Sequence, residues 1–160
     1  MKCSSTPEFW QLQACCPPMH IACTDVQGRS LTYKELNALV DEVSTTLAIG
    51  GMRQLGFIFS TNSLEWLCVY LACLRVGHVP LLLTEDLESS LAEQLINTYQ
   101  PAWIWSPLSE EMQLRSTEIT LASILAAFVW RQPRTQAPLH PDLGLLLSTS
   151  GSTGSPKLVR

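Results

Sequence analysis

The 160-residue sequence has little charge and no concentrated basic segment. Charged residues make up 15% of it, and 10 Lys and Arg against 14 Asp and Glu give a formal net charge of -4. The pI is near 5.3, and no run of Lys or Arg forms the basic patch that is typical of nucleic-acid-binding proteins. These features argue against nucleic acid as the main partner.

Metal-ligand spacing is also missing. The six cysteines show neither a C-x-x-C pair nor zinc spacing with histidine; they are Cys3, Cys15, Cys16, Cys23, Cys68 and Cys73. Cys68 and Cys73 share one predicted helix, where we expect them to be small buried hydrophobic residues. His20, His78 and His140 lie in separate segments, so we interpret them as structural and predict no metal ligands.

No segment is typical of secretion or of a membrane span. The first 20 residues contain Glu8 and three prolines where a signal peptide has an apolar core. Residues 64–83 are mostly apolar, but Glu65, Arg75 and Pro80 would be costly or helix-breaking within a bilayer. We predict a buried helix followed by a buried strand, and a cytoplasmic protein with reduced thiols.

Alternating helix and strand patterns predict an α/β fold with a doubly wound βαβαβ unit. After a lead-in at residues 1–18 and a hairpin at residues 21–33, apolar strands are predicted at 55–59, 79–83 and 102–105. Helical patterns separate these strands, which predicts parallel pairing with right-handed crossovers. Residues 107–141 are a weakly defined connection, in which 121–130 are compatible with a helix, and a last strand is predicted at 143–147.

Capping signals predict where the helices begin. Thr32 and Glu35 form a capping box for the first helix, which Gly50 and Gly51 end. Asn62 is the predicted N-cap of the second helix, and Gly77 its end. Ser90 and Glu93 are a candidate capping pair for the third helix, which Pro101 terminates.

The last predicted strand leads into a cluster of small residues with one lysine. Residues 148–157 read STSGSTGSPK, in which glycines let the backbone approach a ligand, hydroxyls add donors, and Lys157 adds a mobile positive charge. Such a loop can bind phosphate. The Walker A and dinucleotide patterns do not fit, and neither does G-x-S-x-G, whereas a flexible Ser/Gly linker remains an alternative on composition.

The string at residues 148–157 closely resembles the phosphate loop of the adenylate-forming (AMP-binding) enzymes, which include acyl-CoA synthetases, peptide-synthetase adenylation domains and luciferases. Leu158 stands where many members carry glycine. Two earlier strings resemble other elements of the family in the right order: SLTYKELN at residues 30–37, and LACLRVGHVPL at residues 71–81. The match covers roughly residues 6 to 160.

The resemblance implies ATP-dependent activation of a carboxylic acid as an acyl-adenylate. Transfer to a thiol would follow, either that of coenzyme A or that of phosphopantetheine on an acyl or peptidyl carrier protein. By the same resemblance, the loop residues would bind ATP, with Mg²⁺ bridging the phosphates and Lys157 steadying pyrophosphate in catalysis. The nucleotide-binding set is Thr149, Ser150, Gly151, Ser152, Thr153, Gly154 and Lys157.

The family's later elements do not occur in these 160 residues. The "YGxTE"-like segment, the ribose-binding aspartate and the C-terminal domain are absent, so we expect the N-terminal part of an adenylation domain, truncated after the phosphate loop and inactive alone. The alternative is a noncatalytic nucleotide- or partner-binding fragment. The sequence identifies neither the acid substrate, nor the thiol acceptor, nor the oligomeric state.

Overall fold

A computed structural model describes residues 16–107, 119–131, 138–149 and 157–159. The strands are β1 (Ile21–Thr24), β2 (Ser30–Thr32), β3 (Leu55–Ser60), β4 (Val79–Thr84), β5 (Trp103–Trp105), β6 (Phe128–Trp130), β7 (Leu146–Thr149) and β8 (Lys157–Val159). The helices are α1 (Tyr33–Leu47), α2 (Leu64–Arg75), α3 (Ser89–Tyr99) and α4 (Leu121–Ala126), and a short 3₁₀ turn, Ala48–Gly50, follows α1. Residues 1–15 of the predicted lead-in at 1–18 lie outside the described residues.

The main sheet has six strands in the order β6-β5-β3-β4-β7-β8. Strand β3 pairs in parallel with both β4 and β5, and β4 pairs in parallel with β7. The outer strands β6 and β8 are antiparallel to their neighbours. This arrangement confirms the predicted α/β fold, because the unit from β3 to β5 is βαβαβ and parallel.

The sheet has a hydrophobic core on each face, since alternate strand residues point to opposite sides. Helices α1, α2 and α4 cover one face, where Ile58, Trp103 and Trp105 are buried. The other face packs against α3 through Leu95, with Phe57 and Leu81 buried beneath it. Burial of both faces explains why the strands are almost free of charge.

Helix α1 begins as the sequence predicts. The Thr32 hydroxyl accepts a hydrogen bond from the Glu35 backbone N–H at 3.3 Å, and the Glu35 carboxylate accepts one from the Thr32 N–H at 2.9 Å. The hairpin of β1 and β2 that precedes it is also confirmed as antiparallel. An ion-pair chain ties this hairpin to α2, because Arg29 contacts Asp25 at 2.7 Å and Glu65 at 2.8 Å.

Two predicted caps are wrong. Helix α2 is capped by Ser63, not Asn62, because the Ser63 hydroxyl accepts from the Trp66 N–H at 3.2 Å. Helix α3 has no side-chain cap at its first residues: Glu88 is the N-cap residue, and Ser90 donates to the Glu88 carboxylate at 2.8 Å. The Ser90 hydroxyl therefore contacts Glu88 in place of its predicted capping partner, Glu93.

Two predicted boundaries also change. The helix expected at 121–130 ends at Ala126, and Phe128–Trp130 forms β6 because these residues pair with the free side of β5. The strand expected from Leu143 begins at Leu146. Residues ahead of it form a turn, in which the Leu143 N–H donates to the His140 carbonyl at 3.0 Å.

The apolar segment at residues 64–83 is a helix, a turn and a strand, as predicted. Cys68 and Cys73 are fully buried in α2, and burial raises the pKa of both thiols, that of Cys68 to about 12. Across the described ranges, no helix is both long and apolar enough to cross a membrane.

Candidate functional site at the carboxyl edge of the sheet

The two ends of the lysine-containing loop meet across a strand pair. Strands β7 and β8 are antiparallel, and the Cα atoms of Thr149 and Lys157 are partners in their register. The structure therefore brings together the first and last of the predicted phosphate-binding residues at the level of the backbone. Five further members of the set lie outside the described residues: Ser150, Gly151, Ser152, Thr153 and Gly154.

A row of polar residues crosses the sheet at the same level. Ser60 is opposite Thr84 in the pairing of β3 with β4. In the pairing of β4 with β7, Leu82 is opposite Leu147, and Thr84 and Thr149 each lie two residues farther along their strands. Ser60, Thr84, Thr149 and Lys157 thus follow one another on four adjacent strands.

This row lies at the carboxyl ends of the parallel strands. In open α/β sheets, ligands bind outside this edge because loops and helix N-termini converge there. The N-terminus of α2 is at the same edge, where the Thr61 and Ser63 hydroxyls lie 2.9 Å apart. Sequence reasoning missed the residues after β3, although the polar run from Ser60 to Ser63 directly after a buried strand is a usable signal.

Ser148 has a structural contact within the row. Its hydroxyl donates to the Leu82 carbonyl at 3.3 Å and so links β7 to β4 one residue before Thr149. The string that resembles a phosphate loop therefore begins inside the sheet, with a hydroxyl that contacts protein.

Several side chains at the described part of this edge carry oxygen atoms of the kind that bind metal ions. Besides the hydroxyls, the exposed carboxyl groups of Glu85 and Asp86 follow β4. Oxygen ligands suit Mg²⁺, which usually keeps several waters and is shared with substrate phosphates. Within the described residues no group of three or more His, Cys, Asp or Glu is placed to hold a metal ion, so we assign no protein ligands.

His78 lies at the opposite edge of the sheet, just before β4. Its Nδ1 accepts from the Gln54 N–H at 3.3 Å, and its Nε2 donates to the Leu47 carbonyl at 3.1 Å. Burial lowers the pKa of His78, and although the hydrogen bond to Leu47 raises it in part, the charge of Arg53 lowers it further. A neutral ring with both nitrogens bonded to main chain supports the structural interpretation of this histidine.

A cleft of about 460 Å³ also lies at the opposite edge. It is lined by residues that lead into β7, among them Leu139, His140, Asp142 and Leu143. Strand β7 therefore has this cleft at its amino end and the lysine-containing loop at its carboxyl end.

The sequence matches the family model described as AMP-binding enzyme over residues 10–160. A hybrid PKS-NRPS synthetase, prlS, from a fungal species is 32% identical over an alignment of 149 residues, and the match covers 85% of this chain and 4% of that protein. The chain thus spans a small fraction of the length of such relatives.

Solved structures share the fold. The O-succinylbenzoate coenzyme A synthetase of Bacillus subtilis, in complex with AMP, gives a TM-score of 0.65 at 19% identity; the match covers 96% of this chain and 42% of that one. The N-terminal subdomain of Klebsiella oxytoca NpsA gives a TM-score of 0.61 at 19% identity, covering 89% of this chain and 38% of that one.

Proposed function

Since the chain belongs to the AMP-binding family of adenylate-forming enzymes, we propose that it supplies the pyrophosphate-side loop for ATP-dependent activation of a carboxylic acid. The observation that carries this proposal is the register of β7 and β8. It sets Thr149 opposite Lys157 at the carboxyl edge of a parallel sheet, where α/β proteins bind nucleotides.

The proposed reaction is a displacement at the α-phosphorus of ATP. A carboxylate oxygen forms the new bond to phosphorus, the bond from that phosphorus to the bridging oxygen breaks, and pyrophosphate leaves with the electron pair. Catalysis of phosphoryl-type transfer depends mainly on positioning and on stabilising the charge that develops. In this proposal Lys157 stabilises the leaving pyrophosphate as a mobile cation.

The remaining loop residues have supporting roles in the proposal. The hydroxyls of Thr149, Ser150, Ser152 and Thr153 donate to the β- and γ-phosphates. Gly151 and Gly154 let the backbone turn closely around these oxygens. Mg²⁺ would arrive with the nucleotide and reduce the charge on its phosphates, in line with the oxygen-donor character of this edge.

The acyl group would then pass to a thiol. Relatives described as a hybrid PKS-NRPS synthetase and as a coenzyme A synthetase leave two acceptors under consideration, a carrier-protein phosphopantetheine and coenzyme A. Both present the same thiol chemistry to an acyl-adenylate. The activity of the whole protein, including its acid substrate, is part of the proposal, because the chain covers only part of each relative.

Acid-dependent exchange of labelled pyrophosphate into ATP, measured on an intact enzyme that contains this sequence, tests the proposal. We expect Lys157→Ala to reduce exchange roughly 100-fold, the effect typical of removing a group that stabilises developing charge. Gly154→Val should also reduce exchange strongly, because a β-branched side chain restricts the backbone of the loop. Lys34→Ala, which removes an exposed lysine from α1, is the matched control and should leave exchange unchanged.

Three other results have clear meanings. Unchanged exchange in both loop variants would exclude the loop from the reaction. Binding of ATP without exchange, lost in Lys157→Ala, would favour a noncatalytic nucleotide-binding role. If the intact enzyme neither binds ATP nor exchanges pyrophosphate, the nucleotide has no part in the function of this chain.

A further inference from the structure

Arg53 binds four main-chain carbonyl groups with one guanidinium. Its Nε donates to the Gly77 carbonyl at 2.9 Å, and its Nη1 donates to the carbonyls of His140 at 2.5 Å and Pro141 at 2.9 Å. Its Nη2 donates to the Leu143 carbonyl. All three guanidinium nitrogens are used, in the fixed fork that only arginine offers.

These contacts join the amino ends of three neighbouring strands. Arg53 lies two residues before β3, Gly77 lies two residues before β4, and the turn at residues 140–143 leads into β7. Strands β3, β4 and β7 are adjacent in the sheet in that order. One side chain therefore fixes the starting points of the three strands relative to one another.

Strand β7 is the member of this group that needs such an anchor. Strands β3 and β4 pair along six residues each, whereas β4 and β7 are in register at Leu81 with Leu146 and at Leu82 with Leu147. The described residues directly ahead of β7, 138–145, form neither helix nor strand. A slip of one residue would move β7 by about 3.3 Å and turn its side chains to the opposite face.

We propose that Arg53 is a positioning residue that sets the register of β7 and thereby the level of Thr149 and Lys157 at the far edge of the sheet. It is not placed to touch a ligand there, because a six-residue strand spans roughly 20 Å. The link to phosphate binding rests on the proposed function, whereas the link to the register of β7 does not.

Because each acceptor is a main-chain carbonyl, the contribution of Arg53 depends on directed hydrogen bonds more than on its charge. A lysine keeps the charge but has one nitrogen and cannot span four carbonyls. Arg53→Lys should therefore restore only part of what Arg53→Gln loses. Arg75 offers a matched control, since it donates to Asp41 and Asn37 on α1 and contacts neither β7 nor the turn before it in these interactions.

Amide hydrogen exchange of the full chain tests the anchor. In Arg53→Gln we expect exchange at Leu147 and Ser148 to accelerate at least tenfold more than exchange at Ile58 and Leu82. In Arg53→Lys the acceleration in β7 relative to that in β3 and β4 should be smaller, and Arg75→Gln should give no selective change in β7. Equal acceleration in all strands, or unchanged protection of β7, would overturn the proposal; if Arg53→Gln does not fold, the same ratio in Arg53→Lys decides.

Pyrophosphate exchange by the intact enzyme that contains this sequence tests the link to the loop. We expect Arg53→Gln to raise the KM for ATP at least fivefold, with a smaller change in Arg53→Lys and none in Arg75→Gln. An unchanged KM in a variant whose β7 amides are deprotected would refute the link. An intact wild-type enzyme that contains this sequence and shows no exchange activity would refute the proposed function instead, and hydrogen exchange would still decide whether Arg53 anchors β7.

Discussion

Gly56 is the position in the sheet with no room for a side chain. A Cβ atom placed there would lie 2.0 Å from the ring of Trp103, which is fully buried on the neighbouring strand β5. The indole therefore rests directly on the backbone of β3. Because the ring is enclosed by the core of α1, α2 and α4, it cannot move aside cheaply.

We predict that Gly56→Ala lowers the free energy of unfolding by about 3 kcal/mol or more, through overpacking. Gly144→Ala is the control, because nothing lies within 4 Å of a Cβ at that glycine and the change there should stay within about 0.5 kcal/mol. Chemical denaturation of the two variants measures the difference. Equally small changes in the free energy of unfolding of both variants would mean that the Trp103 ring can move to another position.

At the scale of elements, His78 connects the end of α1 to the start of β3 through Leu47 and Gln54. Its pKa lies below the ordinary value, so the folded state favours the neutral ring. The associated stability is fully present above the unfolded-state pKa, near 6.5, and is lost as the pH falls through the folded-state pKa.

We therefore predict that the wild-type chain loses stability as the pH falls below about 6.5, and that His78→Gln loses less over the same range. Glutamine keeps a donor and an acceptor but does not titrate. Thermal unfolding at several pH values measures the effect, and His20→Gln, at an exposed position, should follow the wild type. Identical pH dependence in wild type and His78→Gln would contradict the assignment of this stability loss to His78.

Local patterns predicted most elements of this fold but placed several ends wrongly. Asn62 and Ser63 are both good N-cap residues, and only the bond from Trp66 N–H to Ser63 decides between them. The segment from Leu121 fits a helix until Phe128, where pairing with β5 outweighs local preference. Tertiary contacts of this kind have no signature within a short window of sequence.

The candidate site, too, could be predicted from the sequence only in part. The string at residues 148–157 is recognisable locally, and it includes Thr149 and Lys157. Ser60 and Thr84 could not be assigned to the same row as Thr149, since that depends on the register between strands, and β4 and β7 are far apart in the chain. Arg53 was equally hidden, because its acceptors are main-chain carbonyls that any residue could provide.

At the scale of the whole molecule, apolar surface is exposed at one end of the sheet. Strand β6 is an edge strand, and Val129 and Trp130 on it are 55% and 52% exposed. Edge strands with unpaired backbone groups and apolar side chains favour association between chains. The low charge of the protein offers little repulsion against it.

We predict that the chain self-associates as its concentration rises and that Val129→Lys reduces this association. A lysine on an edge strand opposes pairing with another strand. Light scattering over a concentration series measures the effect. Val26→Lys is the control, since Val26 is 85% exposed in the turn after β1, outside the sheet edge. An equal reduction in both variants would show that the effect does not depend on the edge strand β6.

The short register between β4 and β7 also has a consequence for the order of folding. Strands β3 and β4 are connected by one helix and pair with each other at six positions. By contrast, Leu82 on β4 and its partner Leu147 on β7 are 65 positions apart in the chain. Closing a longer loop costs more entropy before any contact repays it. Strands β7 and β8 are connected by only seven residues, so we expect them to pair with each other first and to join a preformed sheet last. The two strands that flank the proposed phosphate loop would then be the last part of the described fold to be assembled.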